Sequence, residues 1–283
     1  MNARQLVSEG AARLETAGIS EAVVKMEWWV SESLGINREH LDSFFPDDEQ
    51  RTAVESGITR LENHEPLQYV IGHAPFLDLR LITDSRALIP RPETEELVMR
   101  VLDCRPLWSR RDVHLADVGT GTGCIAISIA SRHPDARVIA IDSSEPALSL
   151  ARENAEQAGV SDHISFCCGD LLAGVPATSL DAIVSNPPYI MRDILAGLDA
   201  SVRDFEPVSA LDGGTDGLEI LRRLIVQAFT ALKDDGRLWL EIGDEQGAMV
   251  KGLMKNAGFQ NVEIVRDMYG QNRFAEGIKC FPF

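Results

Sequence analysis

Long apolar runs, basic charge and usable cysteine pairs are all scarce in this sequence. No run of eighteen apolar residues occurs, so no membrane-spanning helix is expected. Glu9, Glu15 and Glu21 occupy the region where a secretory leader places a basic run before an apolar one and where a transit peptide is acid-poor. The expected address is the cytoplasm. The five cysteines, Cys104, Cys124, Cys167, Cys168 and Cys280, are odd in number and contain no C-x-x-C pair. They suggest neither a disulfide framework nor a zinc site, and are read as reduced core residues. Six histidines are scattered without ligand spacing, and no metal is expected. Lys plus Arg number 27 against 44 Asp plus Glu, a net charge of -17. Such a chain repels a phosphate backbone at long range, which makes duplex DNA a poor default partner. Internal repeats and low-complexity tracts are also lacking.

What is present is 283 residues, 45% of them hydrophobic and 25% charged, enough for a full α/β domain and a smaller one. The first part reads as helical. Leu6, Val7, Ala11 and Leu14 fall on one helix face, Ala22 to Leu34 carries a second pattern, and Ala53 to Leu61 a third. Trp28 and Trp29 belong to the core of this part or to a partner-facing edge. The period then changes to two: Leu77, Leu79 and Leu81 alternate with Asp78 and Arg80, and Pro90 and Pro92 stop any extension. The expected layout is a helical domain over 1–72, a β-hairpin linker over 73–92 and an α/β domain over 93–283.

Within the last of these, apolar strand runs at 113–118, 138–141, 164–168, 180–185 and 237–242 are separated by helical patterns at 124–132, 146–158 and 218–232. The alternation predicts right-handed crossovers and a mostly parallel, doubly wound sheet covered on both faces. Two more runs, 261–266 and 273–278, flank a Tyr269-Gly270-Gln271-Asn272 turn, so the sheet is expected to end in an antiparallel hairpin.

The first strand of that sheet ends in Asp117-Val118-Gly119-Thr120-Gly121-Thr122-Gly123 and runs into a helix, the place where doubly wound sheets bind nucleotides. Glycine permits close backbone approach, and free N–H groups at the helix start can hold a carboxylate. The dinucleotide fingerprint requires another glycine where Cys124 stands, which weakens the NAD reading. Asp142 closes the second strand, where a carboxylate can accept both ribose hydroxyls, and Asp170 closes the third. An acidic rim of Asp117, Asp142 and Asp170 suits a cationic adenosine cofactor without a pyrophosphate, which points to S-adenosylmethionine. The aspartates can also be read as caps of helices or turns.

The fourth strand ends in Ser185-Asn186-Pro187-Pro188-Tyr189, on the same carboxyl edge. Proline restricts its predecessor to extended backbone and fixes its own φ, so the Asn186 side-chain carbonyl and the Pro187 backbone carbonyl are aimed. Two such acceptors grip one NH₂ group. An amide nitrogen is a feeble nucleophile that turns positive as it is methylated, and fixed carbonyl dipoles counter that charge. Tyr189 can stack on a planar acceptor.

These motifs give the sequence its resemblance to a known family, the HemK/PrmC protein-(glutamine-N5) methyltransferases that modify peptide chain release factors. It is carried by Pro66-Leu67-Gln68-Tyr69 with Gly72 and Phe76, Leu88-Ile89-Pro90-Arg91-Pro92-Glu93-Thr94-Glu95, the glycine loop, Asn186 to Tyr189, Val202-Arg203 with Glu206-Pro207, Ala210-Leu211 with Gly213-Gly214, and Leu240-Glu241-Ile242-Gly243. The resemblance implies a class I S-adenosylmethionine-dependent methyltransferase domain behind a helical domain that helps dock the release factor. Its substrate would be the glutamine of the Gly-Gly-Gln motif, and the cofactor product S-adenosylhomocysteine. Gly119, Thr120, Gly121, Thr122, Gly123, Asp142, Asp170, Leu171 and Asn186 would contact the cofactor; Asn186, Pro187, Pro188 and Tyr189 would hold the glutamine amide. Leu171 stands where the family often has an aromatic residue against adenine. Arg91 and Glu93 line the entrance or anchor the linker, Arg203 and Glu206 position substrate or pair with each other, and Glu241 reads as structural. An adenine-N6 methyltransferase shares the Asn-Pro-Pro-Tyr motif, but it needs a basic groove that this charge balance does not favour.

Overall fold

The computed structural model describes residues 1–280. In chain order the helices are α1 (Ala3–Thr16), α2 (Ala22–Leu34), α3 (Asp48–Glu62), α4 (Leu67–Ile71), α5 (Pro92–Leu102), α6 (Arg105–Trp108), α7 (Cys124–Arg132), α8 (Glu145–Gln157), α9 (Ala200–Arg203), α10 (Glu219–Ala231) and α11 (Gly247–Ala257). The strands are β1 (His73–Phe76), β2 (Leu79–Ile82), β3 (His114–Val118), β4 (Arg137–Asp142), β5 (Ile164–Cys168), β6 (Leu180–Ser185), β7 (Leu232–Glu241), β8 (Phe259–Arg266) and β9 (Asn272–Lys279). Two compact units result: Met1–Ala74 with Asp199–Phe205, and Pro75–Leu198 with the chain from Glu206 onward. No helix among the described residues is long and apolar enough to cross a membrane.

In the helical unit, capping boxes at Asn2 with Gln5 and at Asp47 with Gln50 start α1 and α3, each satisfying otherwise unpaired N–H groups of a first turn. Helix α3 begins ahead of the apolar pattern at Ala53 because its first turn is polar, with Asp48 and Glu49 favoured at a helix start. Leu6, Val7, Leu14, Met26, Val54 and Ile58 form the core. Both tryptophans pack against it. The Trp29 indole N–H donates to the Val54 carbonyl at 2.9 Å, and its ring fills the space that a side chain at Gly57 would take, 2.1 Å from a Cβ there.

Strands β1 and β2 form the expected hairpin, with one correction: Leu77 is not a strand residue. It takes the turn with φ 50, and its N–H donates to the Glu95 carboxylate at 3.0 Å. The alternation at Leu79 and Leu81 is strand, whereas Leu77 contributes apolar packing from the turn.

The second unit is built on a seven-stranded sheet of order β5-β4-β3-β6-β7-β9-β8. The strands from β5 to β7 are parallel, and β9 runs antiparallel to both β7 and β8. Every residue of β6 is buried, as a central strand covered on both faces requires. Two apolar clusters occupy the two faces, one centred on Ile127, Leu115 and Trp239, the other on Ile183, Leu224 and Leu240. From β3 the chain winds outward through β4 and β5, then returns to place β6 on the other side of β3. The gap between β3 and β6 is thus the topological switch point, where open α/β sheets bind ligands.

Candidate active site

The glycine loop leaves β3 at that switch point. The N–H groups of Gly119 and Thr120 both donate to the Ile141 carbonyl, at 2.8 and 3.0 Å, tying the loop to the end of β4. Gly119, Gly121 and Gly123 have φ of 74, 56 and 84, a region that side chains rarely enter. Their tasks differ. A Cβ on Gly123 would lie 2.9 Å from Ile127 and 3.2 Å from Ala151, so this glycine lets α7 and α8 close together. Gly119 and Gly121 border an open pocket. Asp142 accepts from Gly121 N–H at 3.0 Å through Oδ2 and from Ser144 N–H at 2.9 Å through Oδ1, which leaves a second lone pair on each oxygen. Asn154 of α8, which the sequence did not single out, donates to the Thr122 carbonyl at 2.9 Å and exchanges two bonds with Ile82. One buried amide thereby joins the cofactor loop to the hairpin strand β2.

Asp117 departs from its expected place on an acidic rim. It lies fully buried beneath the loop, where Oδ2 accepts from the Thr120 hydroxyl at 2.6 Å and from Ala126 N–H at 3.1 Å. Among the described residues its other oxygen has no hydrogen-bond partner. Burial pushes this carboxyl up from 3.8 to about 7, against the bonds from Thr120 and Ala126, with the Asp142 charge adding to the rise. Between those values the folded chain holds a proton that the unfolded chain has released, so stability is lost as pH rises through the window. Asp117→Asn, which stays neutral, is expected to gain on the wild type by up to about 3 kcal/mol between about pH 5 and about pH 8. Thermal unfolding across that range checks this, and a difference that does not change with pH would contradict it.

The pocket has an empty volume of about 1050 Å³ including its mouth. Gly119 to Thr122, Asp142, the Gly169 to Leu171 corner, the segment from Arg86 to Arg91, Asn186 and Pro188 all line it. Gly123, Pro187 and Tyr189 adjoin these lining residues in the chain. Leu171 turns the corner with φ 55 and supplies an apolar wall. Both arginines at the wall are already neutralised. Arg86 forks onto Asp84 and Glu153, with contacts from 2.6 to 3.0 Å, and Arg91 pairs with Glu206 at 2.6 Å. Among the described residues lining the pocket no unpaired cation is left for a pyrophosphate, whereas Asp142, held only by backbone N–H groups, gives the cavity negative character. Asp170 itself is tied to Arg223 across the exposed edge. The residues present fit a cationic, phosphate-free adenosine cofactor.

Glu206 corrects another expectation. It does not pair with Arg203, which binds its neighbour Asp204 at 2.7 Å. Its buried carboxylate meets Arg91 and also accepts from Ile89 N–H at 3.4 Å. Burial raises the Glu206 pKa and Arg91 opposes that rise. The ion pair ties the Ile89–Arg91 segment to Glu206, next to Pro207; Ile89, Pro90, Arg91 and Pro207 all line the pocket.

The acceptor motif leaves β6 directly beside the loop. Val118 and Ser185 are register partners, the Ser185 hydroxyl donates to the Val118 carbonyl at 2.6 Å, and a Cβ on Gly119 would come within 3.8 Å of the Asn186 carbonyl. The Asn186 side-chain NH₂ donates to the Thr94 hydroxyl at 3.0 Å. Thr94 in turn donates to Glu241 Oε2 at 2.7 Å, both residues being buried. Among the described residues no hydrogen bond occupies Asn186 Oδ1. The Tyr189 hydroxyl is directed to Glu241. It makes a long contact to Oε1, at 3.5 Å, and burial beside Glu241 pushes it up to about 12. Gln246 donates to the Tyr189 and Gly217 carbonyls at 2.9 and 3.0 Å, bracing the motif from β7's exit.

A glycine loop and an Asn-Pro-Pro-Tyr exit on neighbouring strands of this sheet define a class I methyltransferase. A solved methyltransferase from Pyrococcus furiosus shares the fold, with a TM-score of 0.53 at 17% identity over 83% of this chain and 100% of that one. The family model for the PrmC N-terminal domain matches residues 5–72, and that for the methyltransferase small domain matches residues 95–196. A release factor glutamine methyltransferase of Moorella thermoacetica is 38% identical over 96% of this chain and 97% of its own. One from Enterococcus faecalis is 40% identical over 83% of each. The chain belongs to the release factor glutamine methyltransferase family.

Proposed function

We propose that the protein transfers a methyl group from S-adenosyl-L-methionine to the side-chain amide nitrogen (N5) of the glutamine in the Gly-Gly-Gln motif of peptide chain release factors, modulating translation termination in the cytoplasm. S-adenosylmethionine supplies an electrophilic methyl on a sulfonium and becomes S-adenosylhomocysteine. Gly119, Thr120, Gly121 and Thr122 give it a close backbone wall, Asp142 a hydroxyl-accepting carboxylate, and Asp170 with Leu171 the far edge. Gly123 holds the loop in shape.

The observation that carries the reading is the uncommitted Oδ1 of Asn186 beside the glycine loop. Asn186 Oδ1 and the Pro187 carbonyl accept the two N–H bonds of the glutamine amide, and Pro188 borders its slot. As the new N–C bond forms, the nitrogen becomes positive, and these two dipoles stabilise it without reorganising. The nitrogen then loses one proton to solvent. Tyr189 supports the motif from its place against Glu241 rather than by stacking on the acceptor. The net charge of -17 favours a protein partner over a nucleic acid.

Incubation of unmodified release factor with the protein and methyl-labelled S-adenosylmethionine, with an adenine-containing oligonucleotide in parallel, tests the substrate class. Label is expected on the release factor alone. Label on the oligonucleotide instead would replace this reading with an adenine-N6 activity.

A further inference from the structure

A side-chain amide is nearly symmetric in shape and opposite in chemistry at its two ends. If Asn186 is to grip an NH₂ group, its oxygen must face the acceptor, and a half-turn about the last bond would present a second NH₂ instead. Something has to decide between the two. We propose that Thr94 and Glu241 are positioning residues for methyl transfer: acting through the Thr94 hydroxyl, the Glu241 carboxylate holds Asn186 with its oxygen toward the acceptor.

The geometry settles the direction of each proton. A threonine hydroxyl has one proton to give and lone pairs to receive. Ionised Glu241 can only accept, so at 2.7 Å it takes the Thr94 proton. Thr94 is then restricted to accepting from its other neighbour, and at 3.0 Å that neighbour must be the Asn186 NH₂. A reversed amide would set Oδ1 against an oxygen whose proton is already committed, leaving two acceptors face to face, that of Thr94 buried. Thr94 is 2% exposed and Glu241 1%, so water has little access to relax the constraint.

The same relay reverses if Glu241 gains a proton. The neutral acid can donate to Thr94, whose own proton is then free to bond Asn186 Oδ1. Burial pushes Glu241 up from 4.5 to about 7; Thr94, Arg273 and Tyr189 oppose the rise and Glu93 adds to it. The Cys124 thiol also feels this carboxylate and is itself pushed up to about 12 by burial first of all. Glu93 and Thr94 come from α5, Arg273 from β9, Cys124 from α7 and Tyr189 from the exit of β6. The carboxylate form therefore prevails above about pH 7, and acceptor alignment is expected to improve as pH rises through that value.

This inference rests on reading Asn186 as the grip on an NH₂ acceptor. The test measures kcat against pH on whichever acceptor the wild type methylates. Thr94→Val, nearly isosteric, is expected to lower kcat at least about 10-fold with the affinity for S-adenosylmethionine unchanged by calorimetry. Thr94→Ser restores most of the loss. Glu241→Gln is expected to flatten the rise of kcat between about pH 6 and about pH 8, since it has no proton to exchange there. Wild-type kcat in Thr94→Val overturns the proposal, as does an unchanged pH limb in Glu241→Gln; if the latter fails to fold, the valine and serine pair decides. A wild type that methylates adenine rather than release factor would defeat the substrate assignment, while the relay would still be judged on the adenine amino group.

Discussion

Asn186→Ala is expected to lower kcat for release factor methylation by about 10²–10³-fold while leaving S-adenosylmethionine affinity within about twofold. The size follows from what the side chain does. Its oxygen is a preformed acceptor for an N–H bond that strengthens only as the amide nitrogen becomes positive, so its loss falls on the transition state more than on either ground state. The alanine leaves the backbone of Pro187 and Pro188 in place, and the loop contacts made by Gly119, Thr120 and Asp142 do not pass through the Asn186 side chain. Single-turnover kinetics with calorimetry of cofactor binding separates the two effects. An unchanged rate would remove Asn186 from the mechanism.

Gly213→Ala is expected to cost about 1–3 kcal/mol of stability and about 10²-fold in rate, although the residue touches no substrate. A Cβ there would lie 2.8 Å from the Tyr189 Cα, 2.8 Å from the Gly217 carbonyl oxygen and 2.9 Å from the Gly217 Cα. All three are backbone atoms, so no side chain can swing aside. Gly213 N–H also donates to the Ile190 carbonyl at 2.8 Å, and Ile190 N–H to Leu211 at 3.1 Å. The strain therefore falls directly on the exit of β6, three residues past Asn186. Gly252→Ala, inside α11 where the added methyl meets nothing within 4 Å, serves as control and is expected to leave the rate nearly unchanged and to raise stability by up to about 1 kcal/mol. Equal behaviour of the two variants in chemical denaturation and in turnover would contradict the buttressing role.

The parts of this molecule that could be read in the sequence are those fixed by local chemistry. Strand β6 is bounded as expected because a short apolar run meets two prolines, and α7 because it follows a glycine loop and ends at Arg132. The antiparallel end of the sheet was legible in two alternating runs about one turn. Helix α5 was not, because Pro92 stops a strand and equally starts a helix at its first position. Helix α11 was missed as well: it carries Gly247 and Gly252 and no side-chain N-cap.

The site divides along the same line. The glycine loop, Asp142 and Asn186 are contiguous motifs with their own geometry. Thr94 and Glu241 are 147 residues apart, and only the folded sheet brings α5 over the end of β7. The displacement of Asp117 from rim to interior, and the choice of Arg91 over Arg203 as the partner of Glu206, likewise depend on tertiary placement. A residue's type signals that it can ionise, but burial decides what ionising costs.

The central claim is that Asn186 and its neighbours direct a methyl group onto one amide nitrogen. The measurement that tests it most directly is tandem mass spectrometry of the Gly-Gly-Gln peptide from release factor treated with this protein and S-adenosylmethionine. One added methyl on the glutamine side-chain nitrogen, absent when Asn186→Ala is used, is the predicted result. A methyl on the backbone or on another residue, or an equal yield from the variant, would contradict the account.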